Sequence, residues 1–145
     1  METMEKVTQH TTSVGQAIDE LIAEHVMHHH VIRQKKGTVR ERTEEGHIRP
    51  LRKYSKEMNA AWDVARKMRI TLIPIQGHSW FAFVGKPEGW ESPGELLQYM
   101  ARNEFAEGGA AVQENAPLAI CLAALTAVQS RQKKKPETEP ESLAS

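Results

Sequence analysis

At 145 residues the chain has room for one domain, and its 39% hydrophobic and 26% charged residues exclude both a membrane-embedded and a wholly disordered protein. Nineteen Lys plus Arg balance nineteen Asp plus Glu, which removes any argument from bulk charge for binding nucleic acid or a membrane. The lone cysteine, Cys121, excludes an intrachain disulfide and a Cys-rich zinc site.

Residues 1–13 are polar, contain no apolar stretch of signal-peptide length and are expected to form a flexible N-terminal arm. A single domain is expected over residues 14–131. Its first helix should open at Ser13, which with Gln16 could form a capping box. Ile18, Leu21, Ile22, His25 and Val26 follow at the spacing of one helical face, opposite Asp19, Glu20 and Glu24. The helix is expected to end near the triple histidine His28 to His30.

Residues 33–53 read as a long basic loop. Eight basic residues stand there against Glu41, Glu44 and Glu45, and Gly37, Gly46 and Pro50 interrupt any sustained period. The local pattern allows a short hairpin around Thr38 to Arg42. Ser55 is the expected N-cap of a second helix, with Glu57 in its first turn, Arg66 and Lys67 in its last, and Met58, Ala61, Trp62, Ala65 and Met68 as its apolar stripe. Ile70 to Ile75 and Trp80 to Val84 read as a hairpin, with Pro74 placing the first strand at an edge or bulge.

Within residues 85–109 a helical segment is announced by Ser92 as N-cap, Pro93 at the first helical position and Glu95 closing the capping box. A short strand is expected at Ala110 to Gln113, then a last helix from Ala116 to about Arg131 with Pro117 in its first turn. Its apolar run, Ala116 to Val128, is 13 residues long. A bilayer span needs about 20, so it reads as a buried helix. Residues 132–145, with Lys133 to Lys135 followed by the polar stretch Pro136 to Ser145, are expected to be a disordered tail. The lone thiol fits a reducing compartment, the cytoplasm. The fold class is therefore α/β in the α+β sense: a small, mainly antiparallel sheet sandwiched by helices.

Three blocks carry a family resemblance. Tyr54-Ser55-Lys56-Glu57-Met58-Asn59-Ala60-Ala61-Trp62 resembles a helix opening of the phage ABA sandwich domain family. Asn115 to Leu125 is similar to its C-terminal signature, and Ile18 to Met27 to its first helix. The chain departs from the family pattern at His28-His29-His30 with the basic loop, and at the helical insertion 85–109. The resemblance implies a helix–sheet–helix sandwich encoded by phages or prophages, in a bacterial cytoplasm, and no particular reaction. Ser55, Trp62, Trp80, Pro117 and Cys121 read as its structural signature, with Trp62 and Trp80 as packing residues and Ala119, Ala123, Ala124 and Ala127 letting the last helix approach the sheet.

Arg40, Arg42, Arg49 and Arg52 could clamp phosphate oxygens and Tyr54 could stack on a base, or the segment could be a solvated loop; no glycine-rich phosphate cradle accompanies it. Trp90 on a turn could anchor a ligand, or cover the end of the sheet. His25 with His28 or His29, joined by Glu24, His47 or His78, has helix-face spacing for a divalent metal, against a solvated cluster at a helix end. Cys121 reads as a small buried hydrophobe, and Glu88, Glu91 and Glu95 lack the partners of a catalytic pair. The expectation is a non-enzymatic binding module without cofactor or catalytic residues, of homodimeric form. It would sequester a small anionic or nucleotide-like ligand or occupy a host protein in counter-defence. A nucleic-acid-binding accessory protein and a metal-dependent hydrolase on the histidines are the alternatives.

Overall fold

The computed structural model describes residues 15–86 and 88–144, so Ser13 and the expected arm lie outside the described residues. Helix α1, Gln16–Leu21, has Gly15 as its N-cap and runs straight into a wider π-helical turn, Ile22–Val26. The Met27 N–H closes that turn on the Ile22 carbonyl at 2.9 Å. Ile18, Ile22, Ala23 and Val26 are buried, as the helical spacing required. The helix stops before the histidines: His28 adopts φ 60, and His30 already belongs to a strand.

The segment read as a basic loop is a three-stranded antiparallel meander, β1 His30–Arg33, β2 Val39–Arg42 and β3 Ile48–Pro50, in the order β1-β2-β3. Tight turns carry Gly37 at φ 84 and Gly46 at φ 93, where a side chain would be strained. Its strands escaped the sequence pattern because the inward residue of β2 is Glu41, not a hydrophobe. Alternation is present, but charge occupies both faces.

Helix α2, Met58–Met68, takes Glu57 as its N-cap. Ser55 is not the cap; it is buried in the preceding turn. Arg69, left-handed at φ 56, ends α2 and leads into β4, Ile70–Ile75. With β5, Ser79–Val84, and β6, Ala110–Gln113, it forms a second antiparallel sheet in the order β4-β5-β6. Pro74 sits on the edge strand, as its missing N–H demands, opposite Trp80.

Helix α3, Pro93–Ala101, starts as read: Ser92 Oγ accepts from the Glu95 N–H at 3.3 Å. The Glu95 carboxylate, however, accepts from the Glu91 N–H at 2.9 Å instead of reaching Ser92. A short helix, α4, spans Phe105–Gly108. The last helix, α5, spans Ala116–Ala144 and so continues past the end expected near Arg131, through the segment read as a tail. Asn115 Oδ1 caps it by accepting from the Leu118 N–H at 3.0 Å. Among the described residues no helix is long and apolar enough to cross a membrane.

Alternation along β5 assembles the layers. Ala82 packs with Ala119 and Ala123 of α5, and Ile70, Leu72, Trp80 and Ala111 border that contact. Tyr54, Val64, Ile120, Cys121 and Ala124 join α1, α2 and α5 in the larger core. On the other face of β5, Phe81 and Phe83 meet Phe105, and Phe83 stacks on Tyr99, with centroids 5.2 to 5.8 Å apart. Helices thus lie on both sides of the second sheet. Trp80 is partly buried against the contact of Ala82 with α5, whereas Trp62 stands 47% exposed on α2.

Candidate functional site

Register divides the basic segment in two. Val31, Glu41 and Arg49 share one face of the first sheet, while Ile32, Arg40 and Pro50, with His30, Arg42 and Ile48, share the other. The inward face is closed around Glu41, which is 0% exposed. Its Oε1 accepts from His29 Nδ1 and from the Tyr54 hydroxyl, both at 2.7 Å. Its Oε2 accepts from the Arg52 N–H at 3.0 Å and from Arg49 Nε at 3.3 Å. Burial pushes the carboxyl upward in pKa, but the bonds from His29, Tyr54 and the Arg52 N–H, with the Arg49 charge, outweigh it and hold Glu41 below its ordinary range.

Tyr54 is buried and leaves no ring face for a base. Burial and the Glu41 bond raise its hydroxyl well above the ordinary tyrosine range. The Arg52 guanidinium pairs with Asp63, which also accepts from Arg66 at 2.7 Å, and lies over the Tyr54 ring at 5.8 Å. Arg49, Arg52 and Tyr54 are therefore held by internal carboxylates. Arg40 and Arg42 are left on the outer face beside His30, and neither has an ion pair among the described residues. Arg40 Nε is buried without a hydrogen-bond partner. Ile48, 49% exposed, lies on the same face.

Sequence reasoning missed a second buried acid. Asp19 Oδ1 accepts from the Ser55 N–H at 2.9 Å and the Ser55 hydroxyl at 2.8 Å, and Ser55 Oγ accepts from the Gly15 N–H at 3.2 Å. Burial raises the Asp19 pKa more than these bonds and Lys53 lower it. The Tyr54-Ser55 pair thus fastens two acids, one from β2 and one from α1. Its signal was the small polar Ser55 beside an aromatic, which equally well describes a helix cap.

The histidines disperse. His29 is committed to Glu41, and His47 is exposed in the β2–β3 turn, 4.0 Å from Glu45. His25 and His28 share a surface, a cleft of about 370 Å³ with Val26, Lys67, Met68, Val128, Arg131 and Gln132. Among the described residues no three His, Cys, Asp or Glu are grouped to hold a metal ion. Cys121 is 0% exposed, and burial with the nearby Asp19 charge pushes its thiol far upward, so it is inert packing. Trp90 lies edge-on to Tyr99 at 5.0 Å with Lys86 over its ring at 5.8 Å. A Cβ on Gly85 would stand 3.0 Å from the indole, so Trp90 covers the end of the sheet.

The family model of the Phage ABA sandwich domain matches residues 20–125. No curated protein matches the sequence. Among solved structures, a phage protein from Bacillus cereus ATCC 14579, determined at 2.0 Å, is similar in fold at 20% identity. Its TM-score is 0.52, over 81% of this chain and 92% of that one. The three sequence blocks, the helices on both faces of β4–β6 and the matched span agree: this chain belongs to the Phage ABA sandwich domain family.

Proposed function

We propose that this protein works by binding and not by turnover, as a phage accessory protein in the host cytoplasm, and that the outer face of β1–β3 engages an acidic patch on a host protein. The observation that carries this reading is the division of the arginines. Arg49 and Arg52 are neutralised within the fold, whereas Arg40 and Arg42, two apart on the central strand, have no carboxylate pairing among the described residues. Ile32, Ile48 and Pro50 share their face through the sheet register. Arginine set among apolar groups is the composition of a protein interface core, and its charge steers an acidic partner to the face. A nucleic acid would gain less, because Tyr54, the aromatic that follows the segment, is buried. Both buried carboxylates already accept from internal donors, which fits a scaffold more than a reacting centre.

The test compares capture from phage-infected cells by the wild-type chain and by Arg40→Glu/Arg42→Glu, after nuclease treatment. The expected result is one host protein with an acidic surface, retained at least ten-fold less by the charge-reversed chain. Equal retention by both chains overturns the proposal. So does a capture that nuclease abolishes, which assigns the face to nucleic acid.

A further inference from the structure

The cleft between the end of the π-helical turn, the end of α2 and α5 carries chemistry that the first sheet does not use. Four basic side chains, His25, His28, Lys67 and Arg131, stand with Gln132 around a floor of Val26, Met68 and Val128, and no carboxylate belongs to the lining. We infer that this cleft binds a small organic phosphate, a monoester whose phosphoryl group sits among Lys67, Arg131 and the two imidazoles while its body covers the apolar floor.

The cations are available for such a ligand. Arg131 is exposed and has no ion pair among the described residues, so its planar fork is free for bidentate contact with a phosphoryl group. Lys67 Nζ reaches the Met27 carbonyl and Glu44 Oε1 only at 3.4 Å each. These are long contacts at the weak end of hydrogen bonding, and a dianion can displace them. His25 stands 4.0 Å from Glu24 on the rim. Glu24 and Glu44 are thus the carboxylates that a ligand must outcompete, each at a single side chain.

Backbone geometry is the second observation. His28 lies in the left-handed region at φ 60, anchored by the His29 N–H on the Ala23 carbonyl at 2.7 Å. Glycine is the residue that ends helices in this conformation without strain, and a β-carbon there is disfavoured. The chain instead holds an imidazole at the mouth of the cleft. Strained non-glycine backbone is the kind that collects at binding sites. Size selects the class of ligand. A cleft of about 370 Å³ falls in the range of small-molecule sites, so a bare phosphate ion would leave the apolar floor uncovered. No Phe, Tyr or Trp lines it, and the floor of Val26, Met68 and Val128 suits an aliphatic body.

The experiment titrates the full chain, at constant ionic strength, with n-butyl phosphate, inorganic phosphate and n-butanol, following amide and methyl resonances of Val26, Met68 and Val128. n-Butyl phosphate is expected to saturate one site and to bind more tightly than inorganic phosphate, with butanol inert. Lys67→Gln and Arg131→Gln, both at exposed or half-exposed positions, should each weaken it about ten-fold, the loss of one charged hydrogen bond. His28→Gly should also weaken it while raising the unfolding midpoint, a combination that a purely structural histidine would not give. Absence of a saturable shift, or wild-type affinity in Lys67→Gln and Arg131→Gln, overturns the assignment. Tighter binding of inorganic phosphate than of the ester overturns the organic ligand.

Discussion

Glu41 governs the structure at the scale of single residues. A carboxylate at 0% exposure is tolerated only because every lone pair it turns inward meets a donor. Glu41→Gln keeps the volume but removes the charge and turns an amide N–H₂ toward one of two donor pairs, His29 with Tyr54 or Arg49 with the Arg52 N–H. We expect a loss of about 2–4 kcal/mol in denaturant unfolding. The pH dependence follows from the same bonds. The folded pKa lies below the ordinary value of 4.5, so this contribution is full above about that pH and is lost as the pH falls through the lowered folded value. Asp19, with its pKa raised above 3.8 by burial, has the opposite sign and favours the folded state on acidification. The wild-type melting temperature should therefore drop more steeply below pH 4.5 than that of Glu41→Gln, whose acid limb should be flatter. Equal acid limbs would remove Glu41 from the account. None of this was legible in advance, because Glu41 stands among arginines in a stretch whose local pattern is indistinguishable from a solvated loop.

Elements announced by their own ends were legible. Ser92, Pro93 and Glu95 mark α3, and the β4–β5 hairpin and β6 fall where β-branched, aromatic and turn residues place them. Elements held by distant partners were not: β1–β3 depend on Glu41, and the Ser55 turn on Asp19. Close approach of α5 to the sheet is where an element is least forgiving. Gly109 has φ 120, and a Cβ there would stand 2.7 Å from Ala127 Cβ and 2.8 Å from the Ala123 carbonyl oxygen. Gly109→Ala adds left-handed strain to a backbone clash and should cost about 3 kcal/mol or more. Gly94, inside α3, would place its Cβ 3.7 Å from Ser92 Oγ, in ordinary contact. Gly94→Ala should be neutral or stabilise by up to about 1 kcal/mol through helix propensity. Chemical denaturation of the two variants checks the contrast; similar losses would mean that the α5–sheet approach is not the tight one.

For the whole molecule, the sandwich was readable from three short blocks, and its candidate site only in part. The sequence offered Arg40, Arg42, Arg49 and Arg52 as equals, and nothing local distinguishes them. Strand register decides, turning Arg49 inward and Arg40 with Arg42 outward, and Asp63 takes Arg52. The cleft was half visible, since His25 and His28 share a helix-end spacing while Lys67 and Arg131 come from two later helices. Two arginines are thus paired with carboxylates of the fold, and two have no carboxylate pairing among the described residues. Equilibrium unfolding of Arg49→Ala/Arg52→Ala beside Arg40→Ala/Arg42→Ala tests this division most directly. The first pair is expected to lose about 2 kcal/mol or more, having stripped charge partners from Glu41 and Asp63, and the second to stay within about 0.5 kcal/mol of wild type. Equal losses, or a larger loss in Arg40→Ala/Arg42→Ala, would contradict it.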